Sequence, residues 1–333
     1  MISHFRVQEI QRMRAIAIIA VVLIHTTMAF TKAELSPVTF LALILDSAVH
    51  FAVPLFICIS GFVITLKAYP IFTFYYRRGL RIIPAYVGIS ILYALCYHKP
   101  VIDSVLHFNA AYHLSFFRYL VFLYLLYPLI IKVFHGWFAL PAALFMQLLY
   151  YEIPADIFPI REIEAFSFMR MLFYFVLGIY VCQNYKKIQK IVMSLHNSLL
   201  VLAFFIFWGL ISMSWLHSYY QLQYPSMESY SIGFIIFYLI EFIFIFKYSI
   251  AFESPILNKI GDYSFGIFLI HPLVLQKTNK LLLYSGIDPT QVGFYIIGFI
   301  ITFSVSYFAA WCWNSSLHYV LENERLPTSQ FWK

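Results

Sequence analysis

The sequence predicts an all-α protein, a polytopic bundle of transmembrane helices, and three observations carry that expectation. Of its 333 residues 62% are hydrophobic and only 11% charged, with a mean hydropathy of +0.81, far more apolar than a soluble domain of this length. Ten apolar runs are each long enough to cross about 30 Å of hydrocarbon. The stretches between them are short, so residues 1–333 read as one integral-membrane domain whose chemistry lies within or beside the bilayer.

In chain order the runs cover roughly residues 12–31, 46–66, 79–97, 112–134, 136–153, 165–183, 193–215, 230–250, 261–279 and 291–315. The first has a basic flank but no small-residue cleavage pattern, and further runs follow, so it reads as a spanning helix rather than a signal peptide. Cytoplasmic loops carry the excess of Lys and Arg. With the amino terminus inside, fifteen cations fall on the inner side, among them Arg12, Arg14, Arg77, Arg78, Arg81, Lys186, Lys187 and Lys190. Only five fall outside, namely Lys32, Lys99, Arg161, Lys277 and Lys280, so both termini are expected in the cytoplasm. The outer loop between the fifth and sixth runs is acidic, with Glu152, Asp156, Glu162 and Glu164. A net charge of +7 spread through short loops suits a membrane surface and its lipids, not nucleic acid. Cys58, Cys96, Cys182 and Cys312 each sit in an apolar run without CxxC spacing, which argues against a disulfide framework and against a metal site.

The first run sets the frame for function. Arg14 and His25 are eleven residues apart, close to three helical turns, so they share one face about 16 Å apart. That places a fixed charge near the surface and a titratable base about halfway across. Polar groups at such depth face protein or a water-filled path. In the second run Ser60 and Gly61 allow a close helix approach, and Pro54 frees a backbone carbonyl. Arg78 and Arg81 lie on one helix face beside Arg77, and their guanidinium forks suit a phosphate-bearing ligand or the lipid headgroups of a positive-inside anchor. His113 and His271 are candidates for lining a pocket, Asp46 for its outer mouth, and Glu241 for a structural bridge to Arg118 or Arg170.

Five stretches in order resemble the acyltransferase-3 family of bacterial membrane O-acyltransferases, and are most similar to its enterobacterial common antigen O-acetyltransferase type. They are Arg14 to His25; Pro54-Leu55-Phe56 to Ser60-Gly61; Arg78 to Arg81; Tyr112-His113-Leu114-Ser115-Phe116-Phe117; and Asp262 to His271-Pro272. The chain departs from the family pattern at Ser115, Phe268 and His50, which bears on pocket shape more than on the reaction.

The resemblance implies transfer of an acyl group, commonly acetyl, from acyl-coenzyme A on the cytoplasmic side of the inner membrane to a hydroxyl of a surface polysaccharide or lipid-linked sugar. Taken with the residues themselves, it points to His25 and Arg14 as the catalytic pair, Arg78 and Arg81 with the adjacent Arg77 for the coenzyme, and His113, His271 and Ser60 in the substrate pocket, with Asp46, outside the matching stretches, expected near its mouth. Acetyl-coenzyme A is then a donor substrate, with no tightly bound cofactor and no metal. The residues fit that chemistry. A sugar hydroxyl needs a general base to attack a thioester, and an imidazole, titrating near neutral pH, suits the task. The competing expectation is a transporter or flippase that moves a glycan or small solute, although no inverted repeat is evident between the two halves.

Overall fold

The computed structural model describes residues 4–27, 37–66, 70–152, 164–220, 232–289 and 291–323, with the side chains of residues 4–7, 37, 81, 152, 164–165, 218–220 and 315–323 excepted. All regular elements among them are helices. In order they are α1 (His4–Thr27), α2 (Pro37–Ser47), α3 (Ala52–Leu66), α4 (Ile71–Cys96), α5 (Val101–Leu106), α6 (Ser115–Leu125), α7 (Tyr127–Val133) and α8 (Ala139–Glu152). There follow α9 (Leu172–Gln183), α10 (Tyr185–Ser194), α11 (Asn197–Tyr220), α12 (Ile232–Ala251), α13 (Pro255–Tyr284) and α14 (Val292–Asn323). Short 3-10 segments, Tyr112–Leu114 and Glu164–Met171, open α6 and α9.

Among the described residues seven helices are long and apolar enough to cross a membrane, or eight if a bent pair is taken as one. The chain is therefore a multi-pass membrane protein. Three of the ten expected runs differ, each for a physical reason. Residues 112–134 form two pieces, Tyr112–Leu125 and Tyr127–Val133, that meet at 61°. Pro128 sits at the break, and the carbonyl of Leu125 there accepts a hydrogen bond from the Tyr75 hydroxyl at 2.8 Å. The run 136–153 is a shorter apolar helix, Ala139–Tyr151. The run 261–279 falls inside α13, where Asp262, His271, Gln276 and Lys277 dilute the apolar residues. Two of those, Asp262 and His271, are partnered within the bundle by α1.

α1 is the hub. It packs against α2, α3, α12, α13 and α14, its middle stretch Ala15–Ile24 being wholly apolar and the polar residues lying toward its two ends. Ala15, Ala17, Ile18 and Val22 are fully buried in it. Outer faces of α4, α11 and α14 instead present Phe72, Phe205, Leu210, Met213, Phe308 and Trp313, the apolar exterior a bilayer demands.

Small residues set the closest crossings. A Cβ at Gly61 would stand 2.2 Å from the Phe175 carbonyl oxygen, and one at Gly178 would stand 1.9 Å from that of Cys58, so α3 and α9 meet backbone to backbone. Gly261 gives α13 the same intimacy with α1, at the Gln11 carbonyl. Beside that crossing, the buried Arg12 side chain donates to the Ser249 carbonyl at 2.8 Å and to Asn258 Oδ1 at 3.3 Å, tying α1 to the end of α12 and the start of α13.

Two expectations need correction or fall out of view. Glu241 is buried, its Oε2 has no hydrogen-bond partner, and among the described residues no ion pair joins it to Arg118 or Arg170. Arg170 lies instead 5.7 Å from the centroid of the Tyr150 ring. The acidic loop with Asp156 and Glu162 lies outside the described residues, as do the Glu152 and Glu164 side chains.

Candidate active site

α1 and α13 touch at two levels, Gln11 against Gly261 and His25 against His271, so they run side by side in the same direction. The lower level is polar. Gln11 Nε2 donates to Asp262 Oδ1 at 2.6 Å, and Arg14 Nη1 donates to Gln11 Oε1 at 3.3 Å. Arg14 and His25 thus share the α13-facing side of α1, as their spacing predicts. Their depths differ from expectation in one respect. Within the span Gln8–Thr27, His25 falls in the last turn rather than at the midpoint.

The upper level is a cluster of imidazoles. His25 Nδ1 lies 2.6 Å from His271 Nε2, and the two rings meet edge to edge with centroids 4.8 Å apart and planes 8° from parallel. His113, on the 3-10 turn that opens α6, places its ring centroid 5.5 Å from that of His271 and 6.5 Å from that of His25. Tyr112 meets His25 edge-on at 4.9 Å. Behind them Tyr93 of α4 and Phe268 of α13 pack on His113 at 5.2 and 5.3 Å. His271 and His113 are buried, while His25 is half-buried and so the most accessible of the three.

The local sequence explains why His271 is held so firmly. Pro272 interrupts the hydrogen bonding of α13, and the chain around it is repaired by side chains. His271 Nδ1 lies 2.9 Å from the Phe268 carbonyl oxygen and 3.1 Å from that of Ile267. The Tyr93 hydroxyl donates to the Leu269 carbonyl at 3.1 Å and accepts from the Leu273 amide at 3.3 Å.

A scan against family models matches residues 7–311 to the acyltransferase domain of the acyltransferase-3 type. The chain belongs to the acyltransferase-3 family. No curated protein and no solved structure matches it.

In this acyltransferase the other sequence-predicted residues are dispersed. Asp46 is buried in α2, pairs with His50 at 2.9 Å, and lies 2.6 Å from the Thr27 hydroxyl, two residues beyond His25. Its carboxylate is thereby occupied. Ser60 turns its hydroxyl back onto the Phe56 carbonyl at 2.8 Å. Arg77 is exposed and Arg78 half-buried, and the Arg78 guanidinium stands 5.7 Å from the centroid of the Tyr124 ring. The Arg81 side chain lies outside the described residues. Sequence reasoning passed over Tyr93, and it placed Tyr112 and Pro272 within the family-like stretches without giving either a role. The His271-Pro272 pair held the signal, because a proline inside a helix always leaves a carbonyl seeking a donor.

Proposed function

We propose that this acyltransferase is a multi-pass protein of the bacterial inner membrane, with both termini in the cytoplasm. It moves an acyl group, acetyl in the first instance, from acyl-coenzyme A to a hydroxyl of a surface polysaccharide or lipid-linked sugar. The observation that carries this reading is the half-buried His25, backed by His271 and flanked by Tyr112 and His113, on the same side of α1 as Arg14. An imidazole so placed can act as general base.

The step balances without any further reactant. His25 takes the proton of the acceptor hydroxyl as its oxygen attacks the thioester carbonyl carbon, forming the ester C–O bond. The C–S bond then breaks, and coenzyme A leaves as a thiolate that regains the proton from the imidazolium. Arg14 lies toward the coenzyme's entrance, and Arg77, Arg78 and Arg81 hold its phosphates by charge-assisted hydrogen bonds. A pantetheine arm of roughly 15 to 20 Å suits the distance of about 16 Å separating Arg14 from His25.

The test supplies purified protein with radiolabelled acetyl-coenzyme A and candidate glycolipids, beside a His25→Ala variant. Label transfer by the native protein that is lost in the variant is the expected outcome. Transfer that survives in the variant removes His25 from its role, and no transfer with any acyl donor favours transport of a glycan instead.

A further inference from the structure

The contacts around Pro272 fix more than a bend. An uninterrupted helix would pair the Phe268 carbonyl with the backbone N–H of residue 272, and proline has none. His271 Nδ1 stands in, at 2.9 Å. A carbonyl oxygen only accepts, so Nδ1 carries the hydrogen, and Nε2 of the neutral ring is left with the lone pair. That lone pair faces His25 Nδ1 at 2.6 Å. His25 Nδ1 must then be the donor, and the unprotonated nitrogen of His25 is Nε2.

We propose that His271 is a positioning residue that holds His25 as its Nδ1–H tautomer, and that Pro272, by withdrawing one backbone donor, sets the direction of the whole sequence of hydrogen bonds. The order runs from the Phe268 carbonyl through two imidazoles joined edge to edge to a single basic nitrogen. Tyr93 braces the interrupted turn by bridging Leu269 and Leu273. The catalytic meaning rests on the reading of His25 as general base: with the opposite tautomer His25 would offer the acceptor hydroxyl an N–H, and no proton could be taken.

The experiment uses full-length protein in lipid nanodiscs with 15N-labelled histidine, whose ring nitrogen shifts separate the two neutral tautomers. His25 is assigned by its absence from the His25→Ala spectrum. The native protein should show His25 protonated at Nδ1 and bare at Nε2. His271→Ala should release that preference and lower kcat by about 100-fold or more while leaving KM for the acyl donor unchanged. His271→Gln, whose amide oxygen can accept from His25 Nδ1, should recover most of the loss. Pro272→Ala, which returns a competing N–H to Phe268, should give a mixed tautomer population and an intermediate kcat. A native His25 protonated at Nε2 overturns the proposal even if the variants fail to fold, as does an unchanged kcat in a folded His271→Ala protein. Transfer surviving in His25→Ala beside an Nδ1–H tautomer in the native protein is a different failure: it overturns the base reading and with it the catalytic role given to His271.

Discussion

Gly178 of α9 lies so close to Cys58 of α3 that a Cβ would stand 1.9 Å from the Cys58 carbonyl oxygen and 2.8 Å from the carbonyl carbon. Backbone cannot yield as a flexible side chain can, so the helices themselves must part. Gly178→Ala and Gly61→Ala should each destabilise the protein by about 1–3 kcal/mol or more. Gly209→Ala, at a helical site with nothing within 4 Å, should be neutral or stabilising by up to about 1 kcal/mol. Unfolding of the purified proteins in detergent checks the contrast, and equal effects at Gly178 and Gly209 would show that the crossing is not tight.

Arg12 is expected to matter for stability and not for the chemical step. Its guanidinium is buried against the Ser249 carbonyl and Asn258. Arg12→Ala removes charge-assisted hydrogen bonds worth about 1.5–3 kcal/mol each and leaves the carbonyl without its donor. The melting temperature should fall, while kcat per folded molecule stays near that of the native protein. A large drop in kcat without loss of stability would move Arg12 into the machinery.

Arg78 and Arg81 carry the donor-site prediction. Replacing both by Gln should weaken coenzyme A binding at least tenfold, since each charge-assisted contact to phosphate is worth about 1.5–3 kcal/mol. Stability should change little, because the one ring contact of the half-buried Arg78, with Tyr124, is worth about 0.5–1 kcal/mol when still reached by water. Titration calorimetry with coenzyme A is the readout, and unchanged affinity returns both residues to the role of lipid-headgroup anchors.

Asp46 should behave as a structural carboxylate. With His50 on one oxygen and the Thr27 hydroxyl on the other, Asp46→Ala deprives the His50 imidazole of its carboxylate, while Thr27 keeps its bond to the Ile24 carbonyl, and should cost about 1–3 kcal/mol. KM for the acceptor should hold steady in whatever fraction folds. A raised KM with intact stability would place Asp46 in the sugar pocket after all.

These cases also mark what the sequence could tell. The α-helical class, the face shared by Arg14 and His25, and the close approach at Gly61 were legible, because each follows from period, composition or the lack of a side chain. The break at Pro128 and the polar α13 were not. Hydropathy counts a polar residue as a penalty and is blind to a partner some 246 residues away, so nothing in the sequence of α13 shows that its Asp262 and His271 are matched to α1. The occupied carboxylate of Asp46 was hidden for the same reason: its Thr27 contact joins two different helices. Glu241 shows the converse, a charge for which pairing was expected and none was found among the described residues.

The link between the first helix and the thirteenth bears on biogenesis. His25 leaves the ribosome long before His271 exists, so α1 enters the lipid with its polar face bare and must wait for most of the polypeptide to be made. A truncated product released early would be inert, never a half-working enzyme, and the cell would meet it as a degradation substrate.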